Sequence, residues 1–388
     1  LLREEGFDGR IVLVSSEHEE PYHRPPLSKE YLRGELDEAK LRVHEPALYR
    51  DKDIELRLGS TVESLDAPGG ELTLAGGERL AFDAALLATG SEPRTLSLPG
   101  SDLDGVHYLR THGDSDALAA RLKGARRIAV IGAGWIGCEV AASARQLGVD
   151  VTVVAPDDVP LGRVLGPELG AFYGDVHREH GVDLRLGHQL TRIEGGERVE
   201  RIVLGDGSTV ECDAVVVGIG AAPRVTLAEA AGLEVDNGVL VDGRLCTSAP
   251  NVYAAGDIAR VPNPIYLGRR IRVEHWANAN DQGPFAARAM LGSGLVWQRV
   301  PYFFSDQYDV GMEFAGDIAD ADRMVLRGDP ASREFIAFWL AGDRLVAGMN
   351  VNVWDVSEPI QTLIAREASV DERTLRDPDV SLETLAQS

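Results

Sequence analysis

The sequence predicts an α/β protein made of two doubly wound halves followed by a separate α+β domain, and three observations carry that reading. A β-run, Ile128-Ala129-Val130-Ile131, leads into Gly132-Ala133-Gly134-Trp135-Ile136-Gly137 and then into a helical pattern that reaches Leu147 and closes at Gly148. Strand, glycine turn and helix in that order open a parallel α/β unit. Two further apolar strands, Ala84 to Ala88 and Ala214 to Val217, each end in a glycine-bearing turn, Thr89-Gly90 and Gly218-Ile219-Gly220, as two related halves would. From Pro301 the texture changes to aromatic-rich strands, Tyr302-Phe303-Phe304 and Phe335 to Leu340, with a helix near Pro359 to Arg366. About 90 residues of that kind read as a domain of their own.

The first residues read as the tail of a helix closed by Gly6, followed after Asp8-Gly9 by the strand Ile11-Val12-Leu13-Val14. In doubly wound folds a strand and a glycine turn precede such a helix, so an upstream strand-turn segment is expected that this sequence lacks. Pro21 to Lys29 is a proline-stiffened loop before an expected helix, with Ser28 placed as a cap. The strand Val151-Thr152-Val153-Val154 follows the helix after the glycine turn. Short β-runs at Glu71 to Leu74, Ile202 to Leu204 and Thr209 to Glu211 suggest small antiparallel additions. The last twenty or so residues are polar and acidic and read as a surface helix with a frayed end.

Composition excludes several function classes. Of 388 residues, 44% are hydrophobic and 26% charged, so a sizeable core can form. The 39 Lys and Arg against 62 Asp and Glu leave a net charge of −23, which repels phosphate backbones and anionic lipid over most of the surface. Cys138, Cys212 and Cys246 are an odd set without a CxxC pair, which argues against a disulfide framework or a cysteine zinc site and fits a reducing cytoplasm. No long apolar run or signal core is present.

The loop Gly132-x-Gly134-x-x-Gly137 carries chemistry because of its context. Between a strand and a helix, its glycines permit a tight turn and close approach of a pyrophosphate, while the helix N-terminus offers free N–H groups, the pattern of a Rossmann-like dinucleotide site. The acid that would bind the adenine ribose belongs at the end of the next strand, where Ala155 stands, followed by Pro156, Asp157 and Asp158. With carboxylates and no arginine in that stretch, NADH is expected over NADPH.

Taken together, Pro21-Tyr22-His23-Arg24-Pro25-Pro26-Leu27-Ser28-Lys29, Ala88-Thr89-Gly90, Gly132 to Glu139 and Tyr253-Ala254-Ala255-Gly256-Asp257 resemble, in this order, the two-dinucleotide flavoprotein reductases. More narrowly, the chain resembles the NADH-dependent ferredoxin reductases that serve cytochromes P450 and aromatic-ring dioxygenases, relatives of apoptosis-inducing factor. The resemblance implies an FAD domain in two parts, residues 1–112 and 247–298, an NAD(P)H domain at 113–246 and a C-terminal α+β domain at 299–388. It implies FAD and NADH as cofactors and a [2Fe-2S] ferredoxin as the electron acceptor. The alternative within it is a redox-responsive binding protein like apoptosis-inducing factor, with slow turnover. The family's first glycine loop, which holds the FAD pyrophosphate, is not in this sequence.

The resemblance also implies roles for single residues. Glu17 matches the carboxylate on the FAD adenosine ribose, Arg24 and Pro25 the loop lining the cofactor, and Lys29 the lysine beside the reactive flavin N5. Val62 matches a residue that meets the adenine through its backbone, Arg110 an arginine near the flavin, Asp257 the aspartate on the ribityl chain, and Trp276 the aromatic residue at the flavin edge. Ala88, Thr89, Gly90, Gly256 and Glu274 stand in the same cofactor-lining motifs, with Gly132, Gly134, Gly137 and Gly218. Glu139 matches a glutamate on the nicotinamide side that pairs with the lysine. Physical logic agrees: reduction puts negative charge on the flavin, which a helix N-terminus near Trp276 would favour, and a buried Lys29 needs a partner such as Glu139.

Other signals are assigned blander roles. Cys138 reads as a small buried residue, so thiol chemistry is not expected. His177 and His180 read as part of a solvated helix face and His275 as structural. Because ferredoxins of this kind are implied to be acidic, a local positive patch is needed for docking, and Arg269, Arg270 and Arg272, just before Trp276, are the expected one.

Overall fold

A computed structural model of the chain describes residues 1–387. The opening residues form a turn in which the Glu5 amide donates to the Leu1 carbonyl at 2.9 Å and Gly6 closes it at φ 86°. Strands β1 (Ile11–Val14) and β2 (Ile54–Arg57) pair in parallel, Ile11 opposite Ile54. The proline loop between them makes a short 3-10 turn, Pro25–Ser28, with both prolines in its first positions, where a missing amide donor costs nothing. A small antiparallel sheet, Val62–Asp66, Glu71–Leu74 and Arg79–Ala81, follows. Strand β3 (Ala85–Leu87) pairs in parallel with Val252–Ala254, far along the chain.

While Val239–Leu240 already pairs with Ala259 and Arg260 on the returning side, most of the chain between those two partners is an inserted unit. Its outgoing and returning connections, Ser91–Pro93 and Ala221–Pro223, pair antiparallel with each other. Strands β4 (Val106–Tyr108), β5 (Arg127–Ile131), β6 (Asp150–Ala155), β7 (Asp183–Leu186) and β8 (Ala214–Val217) form one parallel sheet in the order β7-β6-β5-β8-β4. The sequence reading places Val106–Tyr108 before the inserted unit, and here it hydrogen-bonds to the edge of that unit's sheet. Helices α1 (His112–Leu122), α2 (Trp135–Gln146) and α3 (Pro167–Glu179) accompany the sheet. β5 and β8 are buried on both faces, as their unbroken apolar runs demand. Leu190–Gly195, Val199–Leu204 and Thr209–Glu211 are the antiparallel addition.

The chain then returns through β9, the Val252–Ala254 strand, and helix α4 (Trp276–Met290). The last domain is an antiparallel sheet of β10 (Tyr302–Gln307), β11 (Val310–Gly316), β12 (Arg323–Asp329), β13 (Glu334–Ala341) and β14 (Arg344–Val351) in the order β10-β11-β14-β13-β12. Helix α5 (Ser357–Ala365) packs on it. The acidic tail is not frayed. Leu375, Leu382 and Ala386 are buried, and the guanidinium of Arg327 donates to the carbonyls of Leu375, Thr374 and Val380 at 2.6, 2.9 and 3.0 Å.

Shared apolar clusters join the parts. One holds Leu27, Leu32 and Leu41 of the proline-loop region together with Leu118, Val140 and Val153 of the inserted unit. Another joins Leu169, Tyr173 and Val176 of α3 to Phe335 and Met349 of the C-terminal sheet. Apolar burial on this pattern fixes the parts against one another more firmly than polar interdomain contacts would. Among the described residues no helix is long and apolar enough to cross a membrane.

Candidate functional site

The glycine loop is built by close contact on one side and open room on the other. Gly132 sits at φ 103°, and a Cβ there would lie 2.3 Å from the carbonyl oxygen of Gly218. A Cβ on Gly137 would lie 2.1 Å from the carbonyl oxygen of Gly132. These contacts let β5, the loop, α2 and the turn after β8 meet backbone to backbone. Gly134 differs, because nothing occupies the space its Cβ would fill. It caps α2 without a side chain, so the first amides of that helix are left to a ligand, which is the cradle a pyrophosphate requires. Ala155 ends β6 fully buried, and Asp157 beyond it is paired at 2.6 Å with Arg163. The stretch 155–158 holds no cation, yet folding brings one beside it, and the charge left to oppose a 2′-phosphate there is that of Asp158.

A second cluster gathers around the proline loop. Arg24 donates to Glu17 at 2.5 Å, to the Tyr22 hydroxyl at 2.9 Å and to the carbonyl of Arg110 at 2.7 Å, while the Tyr22 hydroxyl donates to Glu17. Burial pushes the Glu17 carboxyl up, and the bonds from Tyr22 and Arg24 outweigh it, leaving the group below its usual value. Arg110 in turn donates to Asp257 at 3.0 Å, and Ser91 donates to the same carboxylate oxygen at 2.9 Å. Gly90, at φ 67°, passes beside the Arg110 guanidinium, and Thr89 donates to the carbonyl of Arg224. Gly256, at φ 78°, donates its amide to Gln282 at 2.8 Å, which fixes Asp257 at the end of β9. Val62 starts its strand close by, since Gly59 and Ser60 donate backbone bonds to Glu17 and Ser15. Carboxylates for hydroxyls and cations for phosphate and a reduced ring form a donor and acceptor set that fits FAD.

Between these two clusters lies a buried ion pair. Lys29 Nζ is 3.4 Å from Glu139 Oε1, and both side chains are about 6% exposed. Ser28 donates to Glu139 Oε2 at 2.5 Å and Ser305 donates to Oε1 at 2.7 Å. The loop that presents Lys29 is clamped by Ser115 of α1, which donates to the carbonyl of Leu27 at 2.8 Å, and by Ser143 of α2, which donates to that of Ser28 at 2.6 Å. Lys29 comes from the first segment, Glu139 from the inserted unit and Ser305 from the C-terminal sheet, so three parts of the chain meet at one carboxylate.

Trp276 opens α4 and is 37% exposed, with its Nε1 donating to His23 Nδ1 at 3.1 Å. His275 caps the helix by accepting from the Ala277 amide. Burial and the Lys29 charge push His275 down to about 4, so it is neutral near pH 7 and suited to the structural role. The arginines expected for docking are already engaged. Arg269 pairs with Asp317 at 3.1 Å and Asp320 at 3.4 Å, Arg270 donates to the carbonyl of Val241 at 2.5 Å, and Arg272 donates to Glu274 and to the carbonyl of Asp257. Arg269 thus ties to the C-terminal domain and Arg272 is compensated by Glu274, while Arg270, exposed and bonded to backbone carbonyls, keeps its charge.

The thiols are inert by placement. Burial pushes Cys138 and Cys212 up to about 12, and Cys138 lies in the core beside Tyr173. The helical pair His177 and His180 departs from its expected solvated face: His177 is 1% exposed and bonded to Gln307, and His180 stacks on Tyr308 with centroids 3.7 Å apart. Ser305 and Gln307 escaped the sequence reading. The sequence carries no clear signal for them: Ser305, Asp306 and Gln307 are three polar residues in a row at the end of the strand, and only the fold shows that the first and third are buried and need partners.

Comparison with known proteins agrees with this architecture. Residues 2–283 match the pyridine nucleotide-disulphide oxidoreductase family and residues 302–386 match the reductase C-terminal family. The chain is 40% identical over 387 residues to the 5,5'-dehydrodivanillate O-demethylase ferredoxin reductase subunit of a Sphingobium species, covering 99% of this chain and 94% of the relative. Putidaredoxin reductase, solved in a covalent complex with putidaredoxin, superposes with a TM-score of 0.96 at 34% identity, covering 100% of this chain and 95% of that one. The ferredoxin reductase of the CYP199A2 system from Rhodopseudomonas palustris gives 0.95 at 36% identity, covering 99% and 95%. The chain therefore belongs to the pyridine nucleotide-disulphide oxidoreductase family, in the branch that carries a reductase C-terminal domain.

Proposed function

We propose that the protein is an FAD-dependent reductase that takes hydride from NADH and passes electrons singly to a [2Fe-2S] ferredoxin feeding an oxygenase. The observation that carries this reading is the Lys29–Glu139 pair, buried where the dinucleotide loop of the inserted unit meets the proline loop of the first segment. FAD supplies, when bound, an acceptor that takes two electrons together and returns them one at a time. The chain's residues do the rest. Gly132, Gly134 and Gly137, with the N-terminus of α2 and Gly218 beside them, hold the NADH pyrophosphate. Glu17, Arg24, Pro25, Val62, Ala88, Thr89, Gly90, Arg110, Gly256, Asp257 and Glu274 line the FAD. Lys29 presents a fixed ammonium at the reacting end of the cofactor, and Glu139 keeps that charge stable in a nearly dry site. Trp276, exposed at the rim, marks where electrons leave.

The absence of an accessible thiol at this site separates the reading from disulfide reduction, because no cysteine carries the thiolate such chemistry needs. A cytoplasmic location suits three buried free cysteines. The test is NADH oxidation by the FAD-loaded protein with and without a panel of [2Fe-2S] ferredoxins. Rapid ferredoxin-dependent turnover with NADH supports the reading. A reduced protein that persists in a complex with NAD and reduces none of them would instead support a redox-responsive binding protein.

A further inference from the structure

A line of buried polar groups runs outward from Glu139, away from Lys29 and the dinucleotide loop. Ser305 donates to Glu139 Oε1 at 2.7 Å, Gln307 Nε2 lies 3.3 Å from Ser305 Oγ, His177 Nε2 lies 2.9 Å from Gln307 Oε1, and the Tyr308 hydroxyl lies 3.3 Å from His177 Nδ1. Ser305, Gln307 and His177 are each 2% exposed or less. Polar groups buried this deeply are costly unless each bond is satisfied.

The direction of every bond follows from the carboxylate. Glu139, facing an ammonium, accepts, so the Ser305 proton points at it. Ser305 Oγ then accepts from the Gln307 amide, whose NH2 must face the serine. The Gln307 carbonyl is left to accept from His177 Nε2–H, and His177 Nδ1, without a proton, accepts from Tyr308. Four donors point the same way and end on one charge, an arrangement in which each bond polarises the next. The string is contributed by two domains, His177 from α3 and the other three from β10 and the turn after it.

We propose that Ser305, Gln307 and His177 are positioning residues that lock the Glu139 carboxylate against Lys29, so that the C-terminal domain completes the hydride-transfer site. This rests on the reading that Lys29 and Glu139 work at that site. A group that is held only by Ser28 and Lys29 can rotate away, and misplacement by about 1 Å costs up to a hundredfold in rate.

The experiment uses the FAD-loaded protein and follows the rate and NADH dependence of flavin bleaching in the wild type, Ser305→Ala, Ser305→Thr, Gln307→Glu, Glu139→Gln and the double variant Ser305→Ala with Glu139→Gln. Gln307→Glu keeps the shape but turns the donor into an acceptor, pulling the Ser305 proton away from Glu139. The expected result is a loss of about tenfold in the limiting rate for Ser305→Ala and Gln307→Glu, with NADH affinity and melting temperature little changed, and recovery in Ser305→Thr. In the double variant, loss of Ser305 adds nothing to loss of Glu139, because it acts through it. A second readout needs no turnover: nitrogen NMR of His177 must show the neutral Nε2–H tautomer in the wild type near pH 7. An unchanged rate in Ser305→Ala and Gln307→Glu alongside a slow Glu139→Gln overturns the string while leaving the site intact. An unchanged rate in Glu139→Gln overturns both, and the opposite tautomer overturns the string by itself.

Discussion

Two kinds of ion pair stand within one site. Lys29 and Glu139 are sealed, each about 6% exposed, with two serines donating to the carboxylate. Arg24 with Glu17, at 36% and 19% exposed, and Arg110 with Asp257, at 27% and 11%, stay open to solvent. In the open pairs water can replace either partner, so a cofactor hydroxyl or phosphate can do the same at little cost. In the sealed pair nothing can stand in for the missing partner. The contrast separates groups that bind by exchanging partners from groups that are held for chemistry.

The largest expected effect breaks the sealed pair. Glu139→Ala strands the Lys29 ammonium and should cost about 3–5 kcal/mol of stability, measured as the drop in melting temperature against Glu139→Gln, which keeps a hydrogen-bonding partner and should lose less. A smaller effect concerns pH. Burial pushes His177 down to about 4, against a hydrogen bond to Gln307 that works the other way. The folded state resists the proton that the unfolded chain accepts, so this stability is whole above about pH 6.5 and drains away towards pH 4, on the order of 2–3 kcal/mol. His275, pushed down to about 4 by burial and by Lys29, adds to the same slope. Melting curves across that range should be flatter in a His177→Gln variant.

The open pairs should respond less. Glu17→Gln is expected to cost less than about 1 kcal/mol, since Arg24 is more than a third exposed. Because the Glu17 carboxyl lies below its usual value when folded, its contribution is present above that value and vanishes as pH falls through the lower one. Its larger effect should be on retention of FAD, read by flavin content after gel filtration. Arg269→Ala gives the smallest change, within about 0.5 kcal/mol, because its exposed pairs with Asp317 and Asp320 are screened. A loss of several kcal/mol there would blur the distinction between sealed and open pairs.

How much of this was legible in the sequence follows the range of the interactions. The loop from Gly132 to Gly137, the strands before and after it and the two glycine-bearing turns are local patterns, and they stand where the sequence places them. The meeting of Lys29 and Glu139 joins residues 110 apart, and came from charge needing a partner together with the family resemblance. The string through Ser305, Gln307 and His177 was invisible, because two helical histidines look the same whether water or another domain covers them. For the arginines 269, 270 and 272 the sequence shows charge but not partners: a separate domain brings Asp317 and Asp320 to Arg269. Arg327 likewise anchors a tail whose composition reads as a surface helix with a frayed end.

The most direct test of the account is anaerobic mixing of the FAD-loaded protein with NADH and with NADH deuterated at the transferred position, followed by flavin absorbance and by a thiol titration. The account predicts bleaching in a single fast phase, slower with the deuterated donor, with all three cysteines unchanged. No bleaching, or bleaching indifferent to deuterium while the thiol count changes, would contradict it.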